Sequence, residues 1–285
     1  VEEVQVIAKL PGPALWRIST PTSQLWIIGL VSPLPNRFAW DNRRLETALT
    51  GARELVIPPG ATVGPLEMMS LLIDPGHVVH LDHGQTLRAL LPDPLRARFE
   101  AAARSVGQDP AHYDHWRPAF ASMALVFDAE QKAQLNPKGP QRSVVDLARR
   151  KGVRVRKLAE YNAGDLVRSV SRLDQASSNA CVAAAASLVE RMPTDIPRLG
   201  EAWARGDVAT IKAVEQAGSA DACLAAPPVA ALRDRLAKDW ADDLAKALTQ
   251  PGKTVVAVDM GSLTRKGGLL DQLRAEGFTV IGPAY

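Results

Sequence analysis

The residues best equipped for chemistry are five histidines, and they fall in two tight groups. His77, His80 and His83 lie in GHVVHLDHG; His112 and His115 lie in AHYDHW. Imidazoles three residues apart share one face of a helix and can chelate a divalent ion from there. Pro75-Gly76, the Val78-Val79 step and Gly84 argue for strand or loop instead, where such residues point to opposite faces. The plainer reading is histidines that sit on the surface or cap helices.

Cys181 and Cys223 are the only cysteines, both in Ala-rich, helix-like surroundings. They either pair with each other or remain two buried free thiols. A pair would contribute about 4 kcal/mol by chain entropy. Arg265, Lys266 and Lys253 around Gly267-Gly268 raise a phosphate-binding turn at a helix N-terminus. The order of residues there does not match G-x-x-x-x-G-K-[ST], so an ordinary turn with a solvated basic rim is expected.

Composition bounds the rest. The chain has 285 residues, 46% apolar and 23% charged, with a formal net charge of +3, a globular profile with no block of like charges. The six tryptophans are scattered rather than interleaved with basic residues, so no nucleic-acid partner is expected. No run reaches the roughly 18 apolar residues of a membrane-spanning helix. The chain opens at Val1 rather than Met. That start is read as a removed signal peptide or a trimmed end, and with one candidate disulfide it leans towards a periplasmic or secreted protein.

The elements that must position these residues read as α/β. Ala14–Ser19 and Gln24–Leu30 flank a Thr20-Pro21-Thr22-Ser23 turn and predict a hairpin. Asp41–Gly51 predicts a short helix with Leu45, Ala48 and Leu49 inward. Leu55–Ile57 is a strand stopped by Pro58-Pro59. A large helical insertion runs over approximately 85–252 of a single 1–285 domain. It holds a helix begun by Asp93-Pro94, another over Ser143–Gly152, and a strand over Val153–Leu158. A helical pair follows over Ile196–Gly218, broken at Gly206 and restarted by Asp207. The longest helix is expected from Pro228 to Thr249, with Arg233, Asp234, Asp239, Asp242 and Asp243 on a solvated face. A strand over Thr254–Asp259, a helix over Gly268–Ala275 and a strand over Phe278–Gly282 predict a closing βαβ unit with a parallel pair.

Three stretches in sequence, PALWRISTPTSQLWIIGLVSPLP, AWARGDVATIK and KTVVAVDMGSLTRKGGLLDQLRAEGFTV, resemble the TraB/GumN family, which includes the Tiki-type proteases and is distantly similar to the erythromycin-esterase and ChaN-like folds. The resemblance covers nearly the whole chain and implies the same α/β fold. It also implies two G-x-x-H motifs at strand ends which, with acidic residues, hold a divalent metal that activates water for hydrolysis.

The chain departs from that pattern at both histidines. The first motif reads Gly29-Leu30-Val31-Ser32 and the second Asp259-Met260-Gly261-Ser262. A neutral serine hydroxyl is a poor ligand for a first-row divalent metal. Glu160 is the nearest match to a later family acid. As nucleophiles, Ser32 and Ser262 would each need a base and an orienting group, and the G-x-S-x-G elbow is missing.

The expected function is therefore a catalytically inactive, pseudo-metalloprotease member acting as a binding or interaction module. Its partner is an unidentified protein, peptide or small-molecule ligand, and no cofactor is expected. The alternative is a metal-dependent peptidase or hydrolase with a rebuilt site, taking Mn, Co or Zn, with Asp259 and Glu160 as acids and a histidine brought close. A third reading, a structural role without a small-molecule site, would need an exposed apolar patch.

Overall fold

A computed structural model describes residues 12–36, 38–62, 76–218, 223 and 225–285. Its centre is a five-stranded sheet in which β1 (Leu15–Ser19) and β2 (Ser23–Leu30) form the expected hairpin, Ser19 opposite Gln24. The turn is pinned by Thr20 N–H on the Ser23 carbonyl at 2.9 Å. The Ser23 hydroxyl donates onward to the Leu248 carbonyl at 2.6 Å, tying the hairpin to the helix behind it.

A short pair, β3 (Leu34–Pro35) with β6 (Leu135–Asn136), lies off the main sheet, as does β5 (Gly60–Thr62) with β8 (Glu160–Asn162). The main sheet is completed by β4 (Ala52–Ile57), β7 (Arg154–Lys157) and β9 (Gly252–Asp259), in the order β1-β2-β9-β4-β7. From β2 to β7 all neighbours are parallel, so these four strands end on the same edge. Val255, Val256, Ala257 and Val258 of β9 are fully buried, the continuous apolar run of a strand covered on both faces.

Helices cover the sheet. They are α1 (Arg43–Leu49), α6 (Gly139–Arg150), α9 (Val208–Ala217), α10 (Pro227–Thr249), α11 (Met260–Thr264) and α12 (Leu269–Ala275). As read from the sequence, α1 turns Leu45, Ala48 and Leu49 inward, and Trp240, Leu244 and Leu248 of α10 join the core. A second apolar core lies among α3 (Leu87–Leu90), α4 (Asp93–Ser105), α5 (Pro118–Lys132) and the first part of α8 (Gln175–Arg205). Among the described residues the remaining α-helices are α2 (Gly76–Val79) and α7 (Ala163–Ser171).

Helix α8, not α10, is the longest, with 31 residues against 23. It runs through Pro193 and Pro197, and so begins well before the Ile196 expected from the sequence. Spaced by four, the prolines lie on one face, so the lost N–H donors fall on a single side. The helix ends as expected at Gly206, whose φ of 68° is the left-handed conformation that glycine tolerates. Asp207 then caps α9 by accepting from Thr210 N–H at 3.0 Å.

Three other expectations change. Residues 278–282 form no parallel strand beside β9, because β2 and β4 already occupy both its flanks. Instead Ile281 exchanges two backbone hydrogen bonds with Arg17, at 2.7 and 2.9 Å, making an antiparallel bridge to β1. The histidine stretches are not simple strand or loop: His77 lies in α2, and His112 in a 3-10 turn over Pro110–Tyr113. The charged face of α10 is not wholly solvated either. Asp239 accepts from the Tyr161 hydroxyl at 2.6 Å, and Asp243 pairs with Arg156 at 2.9 Å.

Candidate functional site at the strand ends

Because β2 and β9 run parallel and in register, Leu30 opposite Asp259, the two sequence motifs emerge side by side where open α/β sheets bind ligands. At Gly29 a β-carbon would stand 2.5 Å from Met260 Cε and 2.8 Å from its sulfur, so a larger residue there would push aside the flexible end of Met260, where the first turn of α11 packs on β2. On the other side the Trp203 indole donates to the Gly29 carbonyl at 2.7 Å.

Ser32 is occupied. Its hydroxyl donates to the Pro137 carbonyl at 2.5 Å, joining the loop after β2 to the loop after β6. Asp259 caps α11, its Oδ1 accepting from Ser262 N–H at 2.7 Å. Among the described residues neither serine hydrogen-bonds a histidine.

One residue of the site went unnamed in the sequence reading. Glu215 of α9 faces the same notch: a β-carbon on Gly261 would lie 3.5 Å from Asp259 Oδ1 and 3.6 Å from Glu215 Oε2. Burial, with the charge of Asp259 added, pushes the Glu215 carboxyl up to about 7, Lys212 pulling the other way. A visible signal existed. Val208, Ile211 and Glu215 follow helical spacing, so the acid falls on the face that buries Val208 and Ile211.

Glu160 stands apart. It pairs with Lys157 at 2.8 Å in an exposed position on β8. β8 follows β7, two strands from β9, a lateral offset of roughly 10 Å at the usual strand spacing.

The histidines form a separate cluster. The rings of His80 and His115 are 5.0 Å apart and both lie against Trp116, while His112 packs on Tyr113. Burial, then the charges of His80 and His112, hold His115 below the ordinary histidine range. His83 is exposed, and the side chain of His77 lies outside the described residues. No group of three His, Cys, Asp or Glu gathers anywhere among the described residues. The donors at the strand ends, two carboxylates and two serines, one serine spent on Pro137, do not fit the histidine-and-acid metal set.

Cys181 and Cys223 are joined in a disulfide, with Cα atoms 4.7 Å apart. At Gly267-Gly268 the turn is filled by its own helix, Gly267 N–H donating to Asp271 at 2.8 Å. No helix among the described residues is long and apolar enough to cross a membrane.

The model of the TraB/PrgY/gumN family matches residues 14–281. No curated protein and no solved structure gives a match.

Proposed function

Since this chain belongs to the TraB/PrgY/gumN family, we propose that it is an exported, catalytically silent member that works as a binding module. The observation that carries this reading is the state of the strand ends. Ser32 and Ser262 stand at the positions where the resemblance read from the sequence implies imidazoles. The first has its hydroxyl committed to Pro137, and the second sits in the turn capped by Asp259. A scaffold can keep its fold while its site loses the groups that do chemistry. Export is supported by the Cys181–Cys223 disulfide, a bond that persists in oxidising compartments.

The test is calorimetric titration of the full chain with manganese, cobalt and zinc, alongside incubation with a mixed peptide library read by mass spectrometry. The expected result is no ion bound tighter than about millimolar and no cleavage. One ion per chain, lost in Asp259→Ala, would sink the reading.

A second reading is favoured by one observation: the Glu215–Asp259 pair, in which one carboxyl is held protonated to about pH 7 beside a charged neighbour. That combination suits general acid–base hydrolysis. Cleavage abolished by Glu215→Gln would select it.

A further inference from the structure

Between α4, α5 and α8 lies a cavity of about 700 Å³, a size that holds a small organic ligand. Its walls include Ala102, Ala129, Leu135, Val189, Met192 and Ile196. None of these side chains offers a hydrogen bond, so an occupant must bring apolar surface of its own.

The mouth is polar, and its charges do not cancel. Glu190 is neutralised by a two-pronged pair with Arg98, at 2.6 and 2.8 Å. The Ser105 hydroxyl is spent on the Ala102 carbonyl at 2.7 Å. Lys132 donates to the Ser105 carbonyl at 2.6 Å, a neutral partner, and pairs with no carboxylate among the described residues. One cation on a flexible stem is left over an apolar cavity. That arrangement matches a ligand with one negative charge and one apolar chain. A phosphate dianion would call for more than a single ammonium.

We propose that this cavity binds a long-chain fatty carboxylate, with the chain against the apolar wall and the carboxylate on Lys132. The inference rests on the binding-module reading and names its ligand class.

The test is calorimetry of the full chain with octanoate, decanoate and dodecanoate, and with dodecanol as the uncharged probe. One dodecanoate per chain is expected, affinity rising up to about fourfold for each methylene buried. Lys132→Gln should weaken dodecanoate at least about threefold and leave dodecanol unchanged. Ala133→Trp places bulk at an exposed rim position, where folding tolerates it, and should abolish both.

Binding without chain-length dependence overturns the proposal, as does equal binding of dodecanol and dodecanoate. So does a dimer that Ala133→Trp converts to monomer while dodecanoate fails to bind, which would make the face a self-association surface. Failure here with no metal uptake and no peptide cleavage leaves the binding-module reading standing. Metal uptake or cleavage sinks that reading whatever dodecanoate does.

Discussion

The indole N–H of Trp203 lies 2.7 Å from the carbonyl oxygen of Gly29, a hydrogen bond buried on both sides that fastens the end of α8 to the end of β2. Trp203 is fully buried and packs against Trp40, ring centroids 5.2 Å apart.

Trp203→Phe keeps a large ring but strands the Gly29 carbonyl. The expected loss is about 2 kcal/mol, the cost of one unsatisfied buried acceptor and a small void. Urea denaturation should show a lower midpoint with an unchanged slope. Trp40→Phe, which removes no hydrogen bond among the described residues, should cost clearly less.

Glu215 makes stability fall with pH. Its folded-state carboxyl titrates at about 7, against 4.5 when free, so between those values the native state holds a proton that the unfolded chain has released. Its contribution is complete below 4.5 and is lost as pH rises through 7. Glu215→Gln keeps the neutral shape at every pH. The variant should match the parent at about pH 4.5 and exceed it by about 2 kcal/mol at about pH 8, the figure reduced for partial solvent screening. Denaturation at both values checks this, and a variant less stable at the higher pH would refute it.

The polar node on β4 behaves oppositely. Glu54, with only 6% of its side chain exposed, takes Arg154 at 2.8 Å and Arg156 at 3.1 Å, and Arg156 reaches on to Asp243. Burial would raise the Glu54 carboxyl, but the two arginines win and hold it below the usual range. Its stabilisation is therefore present above its free value and lost as pH falls through the folded one. Arg156→Met should cost about 2 kcal/mol near neutrality. Combined with Glu54→Gln, it should show a coupling of about 1 kcal/mol or more in a double-mutant cycle.

Reducing the Cys181–Cys223 bond frees a loop with a sequence separation of 42, which by chain entropy is about 4 kcal/mol. Thermal unfolding with and without reductant should differ by many degrees. Equal midpoints would mean that the bond does not constrain the unfolded chain.

What could be read in advance was what local chemistry decides. The hairpin was legible because alternating apolar residues flank Thr20-Pro21-Thr22-Ser23. The α8–α9 break was legible because Gly206 and Asp207 are stop and start signals that need no distant partner. The strand expected over 278–282 does not form: with β9 flanked by β2 and β4, this segment meets the sheet through a single bridge, from Ile281 to Arg17 on the edge strand β1.

The site was half legible. The motifs placed Gly29, Ser32, Asp259 and Ser262 on adjacent strand ends, while Glu160 went to a surface ion pair. Glu215 arrives from a helix far along the chain, and only the fold brings it to Asp259. The Glu54 node needed the register of β4 against β7, which alternation alone does not give. The full reach of α8 was hidden because the helix continues through Pro193 and Pro197, each of which removes a backbone N–H donor.

The sheet also has two guarded rims. At one, Arg17 spends both its backbone groups on Ile281. At the other, β7 is only four residues long, and a short edge strand offers few backbone groups for an incoming strand to pair with. A sheet bounded this way leaves an incoming strand little free edge to pair with.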